Sequence, residues 1–221
     1  MTVVVDVLSF TTALSVAIDA GMEVFPYPWK DASARAFAEQ HNATLAVSRG
    51  EHAHGSITLS APSIRKARGV ERLVLPSPNG STIARYLAAE GTRVVGASLR
   101  NRAAVARWVD RHADRNDPIA IIAAGEKWPD GSLRPAIEDL WGAGGVIAAL
   151  HDLGWRGLSP EARMAMAAFT AVEDRIADEL GACASGVELI EIGFGEDVDV
   201  AAELDTSDRV PLLDGERFAP A

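Results

Sequence analysis

The residues able to do chemistry sit at the ends of apolar runs. Asp6 follows Val3, Val4 and Val5, and the hydroxyls of Ser9, Thr11 and Thr12 come directly after it. A carboxylate closing a strand buried on both faces is costly to desolvate, so backbone donors, a cation or a basic partner must offset it. Further along, Arg49-Gly50-Glu51, Ser77-Pro78-Asn79-Gly80-Ser81-Thr82 and Ala124-Gly125-Glu126-Lys127 each follow another apolar run. In an open parallel sheet such loops share one edge, where helix amino termini offer unpaired N–H groups to an anion. Asp6, Glu51 and Glu126 are candidate carboxylates for a metal or for proton transfer. The Asn79-Gly80-Ser81 turn is a candidate phosphate cradle, with Gly80 free to bring its backbone close.

Each feature also has a plain structural reading. An Asn-Gly turn followed by a hydroxyl makes an ordinary helix start, and Asp6 can be satisfied by backbone donors alone. Glu138 and Asp139 open a helical stretch, where acids are expected against the macrodipole. His52 and His54 share a face if extended, which suits a metal, but no third ligand lies near them in sequence. No phosphate-binding, dinucleotide-binding, serine-hydrolase or zinc-protease signature is present.

Alternating elements must position these loops. Strands are predicted over residues 2–8, 23–27, 44–48, 71–75, 93–96 and 119–123, with helices over 11–20, 31–40, 83–90 and 101–113. This alternation predicts an α/β fold with a largely parallel sheet covered on both faces. The first strand is expected near a sheet edge unless the numbered Met1 is a late start. The final third is more helical, with long helices expected over 134–153 and 160–180 and a last strand over 210–213. We read residues 1–130 as an α/β lobe and 131–221 as a mainly helical lobe completing the site, or the two as one continuous domain.

Composition narrows the partners. The chain has 221 residues and a formal net charge of −10, without the clustered lysines and arginines that nucleic-acid binding needs. Its single cysteine, Cys183, excludes an internal disulfide. No leader or membrane span is read from the sequence. The expectation is a cytoplasmic protein, a homodimer being possible, with no nucleic-acid or membrane partner.

Taken together, "VVVDVLSFTTAL", "SRGEHAHG", "LVLPSPNGSTIA", "GASLRNRAAVA", "AAGEKWPDGSLRPAIEDLWGAGGVI" and "SGVELIEIGFGEDVDVAAEL" resemble, in this order, the 2-phosphosulfolactate phosphatase (ComB) family along nearly the whole chain. The resemblance rests on Asp6-Val7-Leu8, Thr11-Thr12, Gly50-Glu51, Pro62, Asn79-Gly80, Asn101, Gly125, Glu138-Asp139 and Gly142. It implies a three-layer ComB-like fold and a magnesium-dependent phosphatase acting on a phosphate monoester of a small 2-hydroxy acid, a small phosphorylated anion. Asp6 and Glu51 would be catalytic. Ser9, Thr11, Thr12, Asn79, Gly80, Ser81, Asn101 and Arg134 would bind substrate, and Asp6, Glu126, Glu138 and Asp139 would hold the metal. Either a water or the Asp6 carboxylate would attack phosphorus.

Departures from the pattern are as informative. The family arginine after Asp-Val-Leu is Ser9 here, and Gly-Glu-Arg has become Gly50-Glu51-His52. Two guanidinium groups are lost, with Arg49, Lys127 and Arg134 nearby as replacements. The expected substrate is therefore something other than phosphosulfolactate. A catalytically silent protein of the same fold, binding a phosphorylated or carboxylated metabolite, is the alternative.

Overall fold

A computed structural model describes residues 1–28, 32–50 and 56–221. The first two-thirds alternate strand and helix, with α3 added to the expected elements and β3 shorter than expected: β1 (Thr2–Val5), α1 (Phe10–Asp19), β2 (Glu23–Tyr27), α2 (Ala32–Gln40), β3 (Thr44–Leu45), α3 (Ala61–Lys66), β4 (Arg72–Pro76), α4 (Gly80–Ala89), β5 (Val94–Ala97), α5 (Arg102–His112) and β6 (Ala120–Ala123). A small hairpin, β7 (Glu126–Lys127) and β8 (Leu133–Arg134), leads into α6 (Ile137–Asp152) and α7 (Pro160–Thr170). There follow α8 (Ile176–Ala182), α9 (Ala184–Glu191), α10 (Gly195–Ala201), β9 (Pro211–Asp214) and β10 (Arg217–Pro220).

Eight strands form one mostly parallel sheet in the order β3-β4-β2-β10-β9-β5-β1-β6. β1 runs parallel between β5 and β6, one place from the sheet's edge. Val3 and Val5 join a core with Val105, Val146 and Phe169 on one face, while Val4 joins Leu14, Ile64 and Ala84 on the other. That two-residue alternation with both faces buried is why the segment reads as a continuous apolar run. Helices α1, α3 and α4 contribute to one face and α5, α6 and α7 to the other, giving three layers.

Three local expectations need correction. The first strand stops at Val5 rather than Leu8, because the Asp6 N–H turns to Thr11 Oγ1 at 3.0 Å instead of a neighbouring strand. The helix expected over 160–180 breaks into α7, a 3-10 turn at Glu173–Arg175 and α8. At that break Glu173 reaches Arg102 at 2.7 Å, while Phe169, Ile176 and Leu180 remain in the core. The final strand is a hairpin. β10 pairs antiparallel with β2 and β9 pairs antiparallel with β5, so these late residues lie in the middle of the sheet.

Candidate active site

The carboxyl end of β1 sets the geometry. Asp6 is 5% exposed, and its two oxygens are each held by a helix amino terminus. Oδ1 accepts the Phe10 N–H at the start of α1 at 3.0 Å, and Oδ2 accepts the Gly80 N–H at the start of α4 at 2.8 Å. Thr11 locks the backbone beneath: its hydroxyl donates to the Asp6 carbonyl at 2.7 Å and accepts the Asp6 N–H. Backbone donors are therefore what offset the buried charge. Gly80 is required by close approach, since a Cβ there would lie 2.4 Å from a Phe10 ring carbon and 2.7 Å from Asp6 Oδ2.

Asp6 borders a cavity of about 200 Å³ that also meets Ser9, Arg49, Asn79 and Glu126. Asn79 Nδ2 donates to Glu126 Oε2 at 2.9 Å and so orients that carboxylate. A larger cavity of about 690 Å³ lies along the edge strand β6 and α6, lined by Ile121, Leu140, Leu150 and Trp155 among others. It touches none of Asp6, Glu126, Glu138 and Asp139, so the smaller one is the candidate site.

Behind Asp6 lies a second doubly held carboxylate. Asp139, in the first turn of α6, accepts the Val7 N–H at 2.7 Å and the Gly125 N–H at 2.8 Å. Gly125 adopts φ +68°, a left-handed conformation suited to glycine. Glu138 is 2% exposed and faces the Cys183 thiol, which burial and then this carboxylate push up to about 11. Among the described residues no three His, Cys, Asp or Glu side chains converge tightly enough to hold a metal unaided.

The other expected residues divide by what they touch. Ser9 lines the cavity and accepts from Arg49 Nη2 at 2.6 Å, so a guanidinium stands where the family arginine is missing. Thr12 is buried, and its hydroxyl has no partner among the described residues. Ser81 spends its hydroxyl on the Leu75 carbonyl at 2.9 Å. Asn101 accepts the Ser98 N–H at 2.8 Å and donates to the Arg209 carbonyl at 3.2 Å, tying the end of β5 to the segment before β9. Arg134 pairs through both terminal nitrogens with Glu188, at 2.7 and 3.0 Å. Glu51, His52, His54 and Asp31, the first residue of the helix expected over 31–40, lie outside the described residues.

One residue of this region was missed by sequence reasoning. Asp197, 2% exposed in the first turn of α10, accepts from Arg49 Nη2 at 2.9 Å and from Ser60 Oγ at 2.7 Å. Its position in sequence is that of an ordinary helix-start acid, and only the fold brings it to Arg49.

Burial pushes the Asp6 carboxyl up to about 6, against the lowering pull of the Phe10 and Gly80 N–H groups, and Glu126 and Glu138 add to the rise. Asp139 is raised well above the ordinary carboxylate range by burial and then by Asp6. A folded state that holds a proton more tightly than the unfolded chain loses stability as pH rises. The Asp6 contribution is fully present below about pH 4 and is lost as pH rises through about 6. In chelator-treated protein this loss is expected to be on the order of 3 kcal/mol, from about two pH units at 1.36 kcal/mol each. Urea unfolding of wild type and Asp6→Asn between pH 4 and 8 checks it: the difference between their stabilities should change in that window, and a constant difference would contradict it.

This site sits in a recognisable whole. A family model described as 2-phosphosulpholactate phosphatase matches residues 1–216. A "Probable 2-phosphosulfolactate phosphatase" of Thermus thermophilus is 30% identical over 217 residues, covering 96% of this chain and 87% of that protein. A protein of Deinococcus radiodurans with the same name is 32% identical over 215 residues, covering 95% and 86%. The ordered motifs, the three-layer sheet and these matches along almost its full length place the chain in the 2-phosphosulfolactate phosphatase family.

Proposed function

We propose that this chain is a magnesium-dependent phosphoric monoester hydrolase acting on the phosphate ester of a small 2-hydroxy acid. The observation that carries this reading is Asp6, fixed between the amino termini of two ten-residue helices at the wall of a small polar cavity. Helix amino termini favour negative charge, which suits a site for a phosphorylated anion. The names of the family relatives support the same reaction class.

Magnesium is served by one or two carboxylates, with water and substrate phosphate completing its shell, and Asp6 and Glu126 fit that donor set. When bound, the ion supplies Lewis-acid stabilisation of phosphoryl charge. The chain's own groups do the rest. Asn79 holds Glu126 in orientation, and Thr11 and Gly80 hold Asp6. Asp6, serving the ion through one oxygen, would take the proton of an attacking water through the other. The water oxygen joins phosphorus as the ester P–O bond breaks, and the proton ends on the released hydroxyl. Arg49 is already paired with Asp197, which disfavours a strongly charged sulfonated substrate and favours a simple carboxylic acid.

A second reading, a binder without turnover, is favoured by the replacement of two family arginines with Ser9 and His52. Phosphate release from phospholactate separates the two. For the hydrolase, EDTA is expected to lower the rate at least about tenfold, with magnesium restoring it. A rate at background level, insensitive to metal, would establish the binder instead.

A further inference from the structure

The cavity beside Asp6 is electrically lopsided. Two of its lining side chains are carboxylates, Asp6 and Glu126, and the one cation among the described lining residues is Arg49. That guanidinium is built in rather than loose. Its Nη2 donates to Ser9 Oγ at 2.6 Å, to Asp197 Oδ1 at 2.9 Å and to the Leu59 carbonyl at 3.3 Å. Its carbon lies 5.7 Å from the centre of the Phe194 ring. Asp197 is fixed in turn by Ser60 Oγ at 2.7 Å and the Ala61 N–H at 3.3 Å. Arg49 Nε is buried and has no hydrogen-bond partner among the described residues.

An arginine so placed can serve either end of a phosphorylated acid. The ion pair with Asp197 decides between them. With its charge already balanced at 2.9 Å, Arg49 offers directed N–H groups more than net positive charge. Directed donors suit a singly charged carboxylate, whereas a phosphoryl group fits the Asp6 side, where helix amino termini and a divalent cation would gather.

We propose that Arg49 is the specificity-determining residue of this cavity and grips the substrate acid group that is not transferred, with Asp197 and Ser9 as its positioning residues. This rests on the hydrolase reading above and deepens it. The substrate class is then a small phosphate monoester carrying a carboxylate close to the ester carbon, within a space of about 200 Å³.

The test compares kcat/KM for phospholactate with kcat/KM for p-nitrophenyl phosphate, which has no acid group, in wild type, Arg49→Gln and Arg49→Lys with magnesium. The ratio of the two is expected to fall about 10- to 100-fold in R49Q, mainly through the KM for phospholactate, and to recover partly in R49K. An unchanged ratio in both variants overturns the proposal, because a purely structural arginine would weaken both substrates alike. Thermal melting shows whether each variant is folded; should R49Q melt early, R49K, which keeps the charge facing Asp197, carries the comparison. If wild type hydrolyses neither compound, the hydrolase reading fails by itself. The thermal shift given by phospholactate then decides: a wild-type shift lost in the variants sustains the Arg49 assignment, and no wild-type shift overturns it.

Discussion

Asp6→Asn is expected to lower kcat/KM for phosphate release by about 10²- to 10⁴-fold while the protein stays folded. Asparagine fills the same volume, and its Oδ1 still accepts either the Phe10 or the Gly80 N–H. Its Nδ2 then faces the other N–H, so one of the two bonds is lost. The variant can neither take a proton nor offer an anionic ligand. Removing a buried charge offsets part of the lost hydrogen bond, so the melting temperature should move far less than the activity. Steady-state kinetics beside circular dichroism melts would check it. A folded variant with wild-type turnover would remove Asp6 from the chemistry.

Gly144→Ala is expected to cost the fold a large part of its stability. A Cβ on that residue of α6 would lie 2.0 Å from the Ala165 carbonyl oxygen and 2.7 Å from its carbon, on α7. These are backbone atoms, which cannot swing aside, so the two helices must separate and open the contact around Phe169. Overpacking of this kind costs about 3 kcal/mol. In a chain of this size that corresponds to a fall in melting temperature of roughly 6 to 12 °C. Gly145→Ala is the control. Its Cβ would meet the Arg102 side chain at 3.0 Å and the Phe169 ring at 3.4 Å, groups that can yield. Equal melting of the two variants would contradict the argument.

Several of the elements around the site are legible from local pattern alone. β1, α1, β2, β4, α4 and β5 each carry a periodic apolar signal, and Asp6, Asn79, Gly80 and Glu126 fall at or just beyond element ends that meet at one edge. What the sequence hides is where a polar group spends its hydrogen bonds. Ser81 resembles a phosphate ligand in sequence, yet its hydroxyl turns inward to Leu75. Asn101 is committed to Ser98 and Arg209. Asp197 carries no local mark at all, because its meaning arises from Arg49, 148 residues away. The split between α7 and α8 is also invisible, since Phe169, Ile176 and Leu180 keep a helical spacing across it.

The hairpin of β9 and β10 bridges β2 and β5, and so joins two three-stranded halves that otherwise have no strand in common. A ribosome delivers it only after both halves have emerged, and until then each half presents an unpaired inner edge to solvent or to any neighbouring chain. Closure of the sheet thus waits on residues 211–220, and a chain cut before Pro211 would leave two open half-sheets in place of one continuous sheet.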